Sequence, residues 1–376
     1  MKFTLDAKQL YQASFIAKGL ASKNRELPTL GFMQVKSQNG KITVRSTDLE
    51  KMVWMTISGE SDGDGELCVP IKLVETFTKK EKGKVTLEEV QHGTKRAIIT
   101  GSEQGGSATL SMDAYAPKDM VPDTIFPDGS HLITVGMGPD FARTLTMALT
   151  CAACEDSRPV LTGILLDGQH ESLAVASADG FRLFHRKLGV PIPKMQAVIP
   201  GHTGMLIARI MGKKAITMSY CQKSETASFS TDDCLIYTQL VRGNFPQYLQ
   251  LIPKEEPSWT FECSSPLLEQ RLNQYKPDTA GIVRMSHNTN GDPALKLEMG
   301  VSDEMEFSAH YVSLVPATLK GDNEGRIAAN QLYLTDAVRF FSSVLFKMTS
   351  PSSPMVITGD VDGVLVVLMP MFVQQW

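Results

Sequence analysis

No apolar run in the sequence approaches the ~20 residues that a membrane-spanning helix requires, and the opening stretch MKFTLDAKQLYQ lacks the apolar core of a secretory signal. Both absences point to a cytoplasmic protein with no membrane partner. Cysteine is scarce, with Cys68, Cys151, Cys154, Cys221, Cys234 and Cys263 making six in 376 residues. That pattern fits reduced, mostly buried thiols better than a disulfide framework. An excess of charge is also missing: 37 Lys and Arg face 41 Asp and Glu, for a net charge of −4. A protein coated in basic charge is excluded, while a local basic face is not.

Catalytic signatures are equally thin. The seven histidines form no ligand-spaced pair, and neither a nucleophile elbow nor a phosphate-binding Gly-Lys loop occurs. Cys151-Ala-Ala-Cys154 has redox or zinc spacing, yet no second ligand pair accompanies it. It is expected late in a helix beginning near Asp140, away from the N-terminal dipole that activates a thiol. The Gly136-Met-Gly138 turn resembles a dinucleotide fingerprint, but Phe141 occupies the third glycine position. No catalytic residue, cofactor or metal ligand is assigned.

What the chain does have is length and internal repetition. At 376 residues it exceeds one ordinary domain. ELPTLGFMQVKSQNGKITVRSTDLE, from Glu26 to Glu50, parallels SRPVLTGILLDGQHESLAVASADGF, from Ser157 to Phe181. Pro28 pairs with Pro159 and Asp48 with Asp179, each about 130 residues apart, and Pro70 and Pro200 repeat that offset. A fainter third copy runs through AGIVRMSHNTNGDPALKLEM and GRIAANQLYLTDAVRFF. Three similar domains follow, at 1–127, 128–253 and 254–376. Leu10, Ala13, Ile16, Ala17 and Leu20 fit one helix face, as do Phe141, Leu145, Ala148, Leu149 and Ala152. Ile71, Val74 and Phe77, and Leu206, Ile207 and Ile210, mark a second helix in each copy. Short β-branched segments between turn signals supply strands, so the class is α+β with antiparallel sheets. Asp48 and Asp179 are turn caps. Ala116-Pro117, Phe245-Pro246 and Met369-Pro370 are expected to be three copies of one strand exit, the last leaving the apolar strand VLVVL.

Basic residues gather on or beside the predicted helices: Lys8, Lys18, Lys72, Lys79 and Lys80, then Arg143, Arg209, Lys213 and Lys214, then Arg271, Lys276 and Arg339. Such faces give weak, salt-sensitive contact with phosphates, or are simply solvated.

MKFTLDAKQLYQA, STDLE, RPVLTGILL, SADGFRL, RGNFPQYLQLIPK and VLMPM, in that order along the whole chain, resemble the bacterial sliding clamp family, the β subunit of DNA polymerase III. The resemblance implies the DNA clamp fold, with antiparallel sheets outside and helices lining a ring made by a homodimer. The ring would encircle duplex DNA without sequence preference and give processivity to a replicative polymerase, with no enzymatic activity and no cofactor. DNA-facing residues would be Lys23, Asn24, Arg25, Lys72, Lys79, Arg143, Arg209, Lys213, Arg271 and Arg339. A peptide groove between domains two and three would use Arg158, Leu161, Ala178, Gly180, Phe181, Arg182 and Leu183. Pro246, Gln250, Leu251, Val367, Met369, Pro370 and Met371 would complete it. Its implied partners are short motifs of the DNA polymerase III α subunit, the clamp loader, other polymerases and repair proteins, in a nucleoid-associated cytoplasmic setting. Ala108 and Leu110 would meet Gln274 and Tyr275 across the dimer interface.

Several positions depart from the family pattern. Ala178 and Phe181 stand where many members carry Thr and His, Gln274 and Tyr275 are more polar than usual, and VQQW lengthens the tail. A divergent paralogue with a repair, plasmid or phage role is the alternative within the binding class. A redox enzyme using Cys151 and Cys154 is the alternative outside it.

Overall fold

One order of elements, strand and helix, a run of strands, a second helix and three more strands, is met three times along the chain in the computed structural model. The structure describes all residues except 21–26, 93, 104–105, 116–119, 121–132, 156, 170–171, 275–280, 289–291, 301–309, 322–324 and 374–376. Lys23, Asn24, Arg25, Ala116-Pro117, Tyr275, Lys276 and Trp376 therefore lie outside the described residues.

The first repeat holds β1 (Lys2–Asp6), α1 (Ala7–Leu20), β2 (Phe32–Gln38), β3 (Lys41–Thr47), β4 (Lys51–Ile57), β5 (Gly59–Ser61), β6 (Gly65–Pro70), α2 (Ile71–Thr78), β7 (Lys84–His92), β8 (Thr94–Glu103) and β9 (Gly106–Asp113). The second holds β10 (Ile133–Gly136), α3 (Phe141–Leu149), β11 (Gly163–Asp167), β12 (Ser172–Ala178), β13 (Arg182–Pro191), β14 (Gln196–Pro200), α4 (Gly201–Met211), β15 (Thr217–Cys221), β16 (Thr226–Ser230) and β17 (Cys234–Gln239). The third holds β18 (Trp259–Ser264), α5 (Ser265–Asn273), β19 (Ile282–Asn288), β20 (Ala294–Gly300), β21 (His310–Gly321), β22 (Arg326–Asn330), α6 (Gln331–Val338), β23 (Ser343–Met348), β24 (Met355–Gly359) and β25 (Val364–Leu368).

Local chemistry accounts for the repeated landmarks. Pro28 and Pro159 open 3-10 turns, where a fixed φ and a missing N–H do no harm, and the Leu two residues on, Leu30 or Leu161, is buried. Asp48 Oδ1 accepts the amides of Glu50 and Lys51, and Asp179 Oδ1 accepts those of Phe181 and Arg182. The residue after the Asp has positive φ in both turns. Gly180 adopts +97° without penalty, whereas Leu49 at +80° bears a steric cost. Leu10, Ala13, Ala17 and Leu20 are buried along α1, as the 3.6-residue spacing predicts.

Two expectations need correction. Helix α3 ends at Leu149, so Cys151, Ala152 and Cys154 lie in the turns after the helix rather than late within it. Strand β17 ends at Gln239, six residues before Phe245, so Phe245-Pro246 is not a strand exit. The structural counterpart of Met369 is Gln239: the Gln239 amide donates to Glu50 O and the Met369 amide to Phe181 O. Proline spacing misled here because Pro246 belongs to the approach to the next 3-10 turn, Tyr248–Leu251.

The chain divides into two compact units, residues 1–139 with 209–240, and residues 140–208 with 241–376. The first unit carries the sheets β5-β1-β7-β8-β9 and β10-β15-β16-β17-β4-β3-β2-β6. The second carries the sheet order β14-β11-β12-β13-β25-β24-β23-β18-β21-β20-β19-β22. The second repeat thus contributes strands to both units. Its last strand, β17, pairs antiparallel with β4 of the first repeat, and β25 of the third repeat pairs in the same way with β13 of the second.

Candidate functional site

At the meeting of β12, β13 and β25, Leu183 sits opposite Ala178 on one side and Val367 on the other. With Leu161, Leu165, Ala176, Val198, Phe245 and Tyr248 these three form a buried apolar cluster within the second unit. Leu183 is 2% exposed and Val367 3%, so both belong to the floor rather than to an open surface. Close to these buried residues in sequence, the chain leaves large apolar groups in solvent: Phe181 is 60% exposed, Leu251 55% and Met369 45%. The Met369 amide donates to Phe181 O at 2.8 Å, which ties the end of β25 to the turn before β13. Beyond it the Met371 amide donates to Ala328 O at 2.8 Å, and Pro370 to Val373 face Pro351 and Ser352 across a cleft of about 270 Å³. Arg158, Pro246 and Gln250 are exposed around the same segments, with Gln250 Nε2 donating to Gln247 Oε1.

The Arg182 side chain is mostly enclosed, at 10% exposure. Nε donates to Asp179 Oδ2 and Nη1 to Asp336 Oδ2, both at 2.9 Å, while the guanidinium carbon lies 4.2 Å from the centre of the Tyr333 ring. Burial works against its charge, but the hydrogen bond to Asp336, the neighbouring Cys151, and the hydrogen bond and field of Asp179 leave the pKa raised. Tyr333 in turn stacks with Phe181 at 6.3 Å between ring centres. The pattern of alternating apolar residues on α6 gave no sign that Tyr333 and Asp336 reach this site, because QLYLTDAV reads equally well as an ordinary packed helix. Cys151 lies beneath the same network; burial pushes its thiol up to about 12, the reverse of what a reactive thiolate needs. No group of three or more His, Cys, Asp or Glu suited to a metal occurs among the described residues.

Behind the cluster, Tyr248 Oη donates to buried Asp167 Oδ2 at 2.9 Å, and its ring lies 5.7 Å from that of His185. Burial, then Lys187, lowers the His185 pKa to about 4, against the opposing field of Asp167. The unfolded chain therefore takes up this proton first as pH falls. Stability is lost from the ordinary value of about 6.5 downward and levels off near 4, a loss of about 2 kcal/mol by pH 5. Urea midpoints measured at pH 7 and pH 5 are expected to fall less in His185→Gln than in the wild type, and equal falls would remove His185 from the account.

The basic residues separate by unit. In the first, Lys72 and Lys79 are exposed on and just after α2, Lys213 is exposed after α4, and the Arg209 guanidinium lies 4.3 Å from the centre of the Phe15 ring. In the second, Arg143 on α3 and Arg339 at the end of α6 converge on Phe340: Arg143 Nη2 donates to Phe340 O at 3.3 Å, and Arg339 lies 5.0 Å from the Phe340 ring centre. Arg271 is half-buried, and its Nη1 donates to Gln274 Oε1.

Two of the unpaired strand edges among the described residues lie beside the residues expected at a dimer seam. β9, carrying exposed Ala108 and half-buried Leu110, ends its sheet. In β21, Ala317 to Gly321 pair with β18, but His310 to Pro316 pair only with β20. Val312 and Leu314 on this open stretch are 46% and 47% exposed, and Gln274 Oε1 accepts from Tyr311 Oη at 2.8 Å beside them. The sequence reading missed Val312 and Leu314, since alternation reveals a strand but not whether its other face is covered.

A family model described as DNA polymerase III beta subunit, central domain, matches residues 139–247. Along the chain, the beta sliding clamp of Streptomyces coelicolor is 24% identical over 371 residues, covering 96% of this chain and 94% of that protein. The beta sliding clamp of Micrococcus luteus is 22% identical over 324 residues, covering 85% and 95%. Among solved structures, the DNA polymerase III beta subunit of Thermotoga maritima superposes with a TM-score of 0.82 at 20% identity, covering 99% of both chains. The Pseudomonas aeruginosa sliding clamp bound to griselimycin gives 0.84 at 19%, covering 99% and 100%.

Proposed function

From a chain with the DNA clamp fold, similar along its length to bacterial sliding clamps, we infer a DNA sliding clamp: a homodimeric ring that encircles duplex DNA and tethers a replicative polymerase. The pattern of strand pairing carries the ring. In the first repeat the open side of β4 is completed by β17, the last strand of the second repeat. In the second repeat the open side of β13 is completed by β25, the last strand of the third. β21 holds the corresponding place in the third repeat, and its first half is open. The last strand of the first repeat, β9, is the matching free edge. A second copy can therefore complete β21 with its own β9, and return the favour, so that two head-to-tail seams close a ring of six repeats. Ala108, Leu110 and Gln274 lie at that seam in this reading, with the domains divided at 1–127, 128–253 and 254–376.

Lys72, Lys79, Arg143, Arg209, Lys213, Arg271 and Arg339 then face the duplex, as salt-screened contacts with phosphates and without base readout. A topological link makes weak contact sufficient. The exposed Phe181, Leu251 and Met369, beside a floor of Leu161, Ala178, Leu183 and Val367, receive the apolar anchors of partner peptides, and Met369 and Met371 can repack around different anchors. Polymerase, clamp loader and repair proteins are the partner classes, in a cytoplasmic, nucleoid-associated setting.

Once loaded on nicked circular DNA, the protein is expected to stay bound through a high-salt gel filtration step and to be released when the circle is cut. Equal loss from circular and linear DNA would refute the ring.

A further inference from the structure

Asp336 stands between two arginines with different surroundings. Its Oδ2 accepts from Arg182 Nη1 at 2.9 Å and its Oδ1 from Arg339 Nη1 at 3.1 Å. Arg182 is enclosed beneath the Tyr333 ring, whereas the Arg339 side chain is 42% exposed and shares the Phe340 corner with Arg143. One carboxylate thus serves both the aromatic face of the groove and the paired cations expected to meet a phosphate.

We propose that Asp336 is a positioning residue through which a DNA phosphate held by Arg143 and Arg339 tightens the peptide groove. The proposal rests on the clamp reading and adds a coupling to it. A phosphate that draws Arg339 away from Oδ1 leaves the Asp336 charge to Arg182 alone. Arg182 is then held more firmly between Asp179 and Asp336, and Tyr333 and Phe181, stacked in series on it, present a stiffer face to an apolar anchor. Preorganisation of that face raises affinity without adding a contact. Linkage requires the converse, that a bound peptide raises the affinity for duplex by the same factor.

The test is the anisotropy of a fluorescein-labelled peptide with Leu and Phe anchors, titrated with the full-length protein at low salt, with and without a saturating short blunt duplex. Wild type is expected to bind the peptide about 5-fold more tightly with duplex present. Asp336→Asn keeps the side-chain shape but should bind the peptide more weakly and respond little to duplex. Arg339→Ala, at an exposed site that leaves the fold intact, should match the DNA-bound affinity of wild type without any duplex. Wild type binding both probes with no shift between the two titrations, or Asp336→Asn keeping the full shift, overturns the coupling alone. Wild type binding neither probe overturns the clamp reading together with it.

Discussion

Leu183→Ala combined with Met369→Ala is expected to weaken the binding of a polymerase-derived peptide by at least about 30-fold while leaving the dimer intact. The two changes act differently. Met369 is 45% exposed and tied to Phe181 through its amide, so its side chain is available to an incoming anchor; truncating it removes about 1 to 2 kcal/mol of contact. Leu183 is already buried between Ala178 and Val367, and its truncation opens a cavity that costs about 2 to 5 kcal/mol of stability. Met369→Ala alone should therefore shift peptide affinity with little change in melting temperature, and Leu183→Ala alone should lower the melting temperature as well. Equal peptide affinities for the double variant and wild type, measured by isothermal titration well below either melting temperature, would place the groove elsewhere.

Val312→Asp with Leu314→Asp is expected to convert the dimer into a monomer at micromolar concentration in sedimentation, and to abolish retention on nicked circles. Both residues lie on the open half of β21, where a second copy's β9 would cover them. A carboxylate buried there without a partner costs several kcal/mol, and two of them exceed what a single added strand pairing can offset. In the free chain the same positions face solvent, so folding should be little affected. Peptide binding should also survive, because the groove is built within one chain. A variant that still sediments as a dimer would rule out this edge as the seam.

Much of this was legible in the sequence because it is local. The proline-led turns, the two aspartate caps and the buried face of α1 each follow from a few adjacent residues and a fixed spacing. Ala178 and Leu183 are brought together by one short turn, and Val367 joins them because β25 has a strongly apolar pattern that must find a sheet. Pairings between repeats were not legible. Any of several strands could have received β17 or β25, since backbone bonding carries no sequence label. Arg182, one of the residues expected to serve the groove, is enclosed by Asp179, Asp336 and Tyr333. Two of those three partners come from a helix more than 150 residues away, which the short motif SADGFRL cannot report.

Hydrogen bonding of Arg182 to Arg186 with Val364 to Leu368 splices the floor of the groove into one sheet drawn from two repeats. The two sides cannot part without breaking ladder bonds, so the surface is formed before any partner arrives. The loss of freedom on binding then falls on the visiting tail, which must give up its own disorder. In the proposed clamp, the dwell time of each visitor would then be set by its own anchors. Under the proposed function, partners that differ by a single side chain would thus take turns on one ring in an order written in their own sequences.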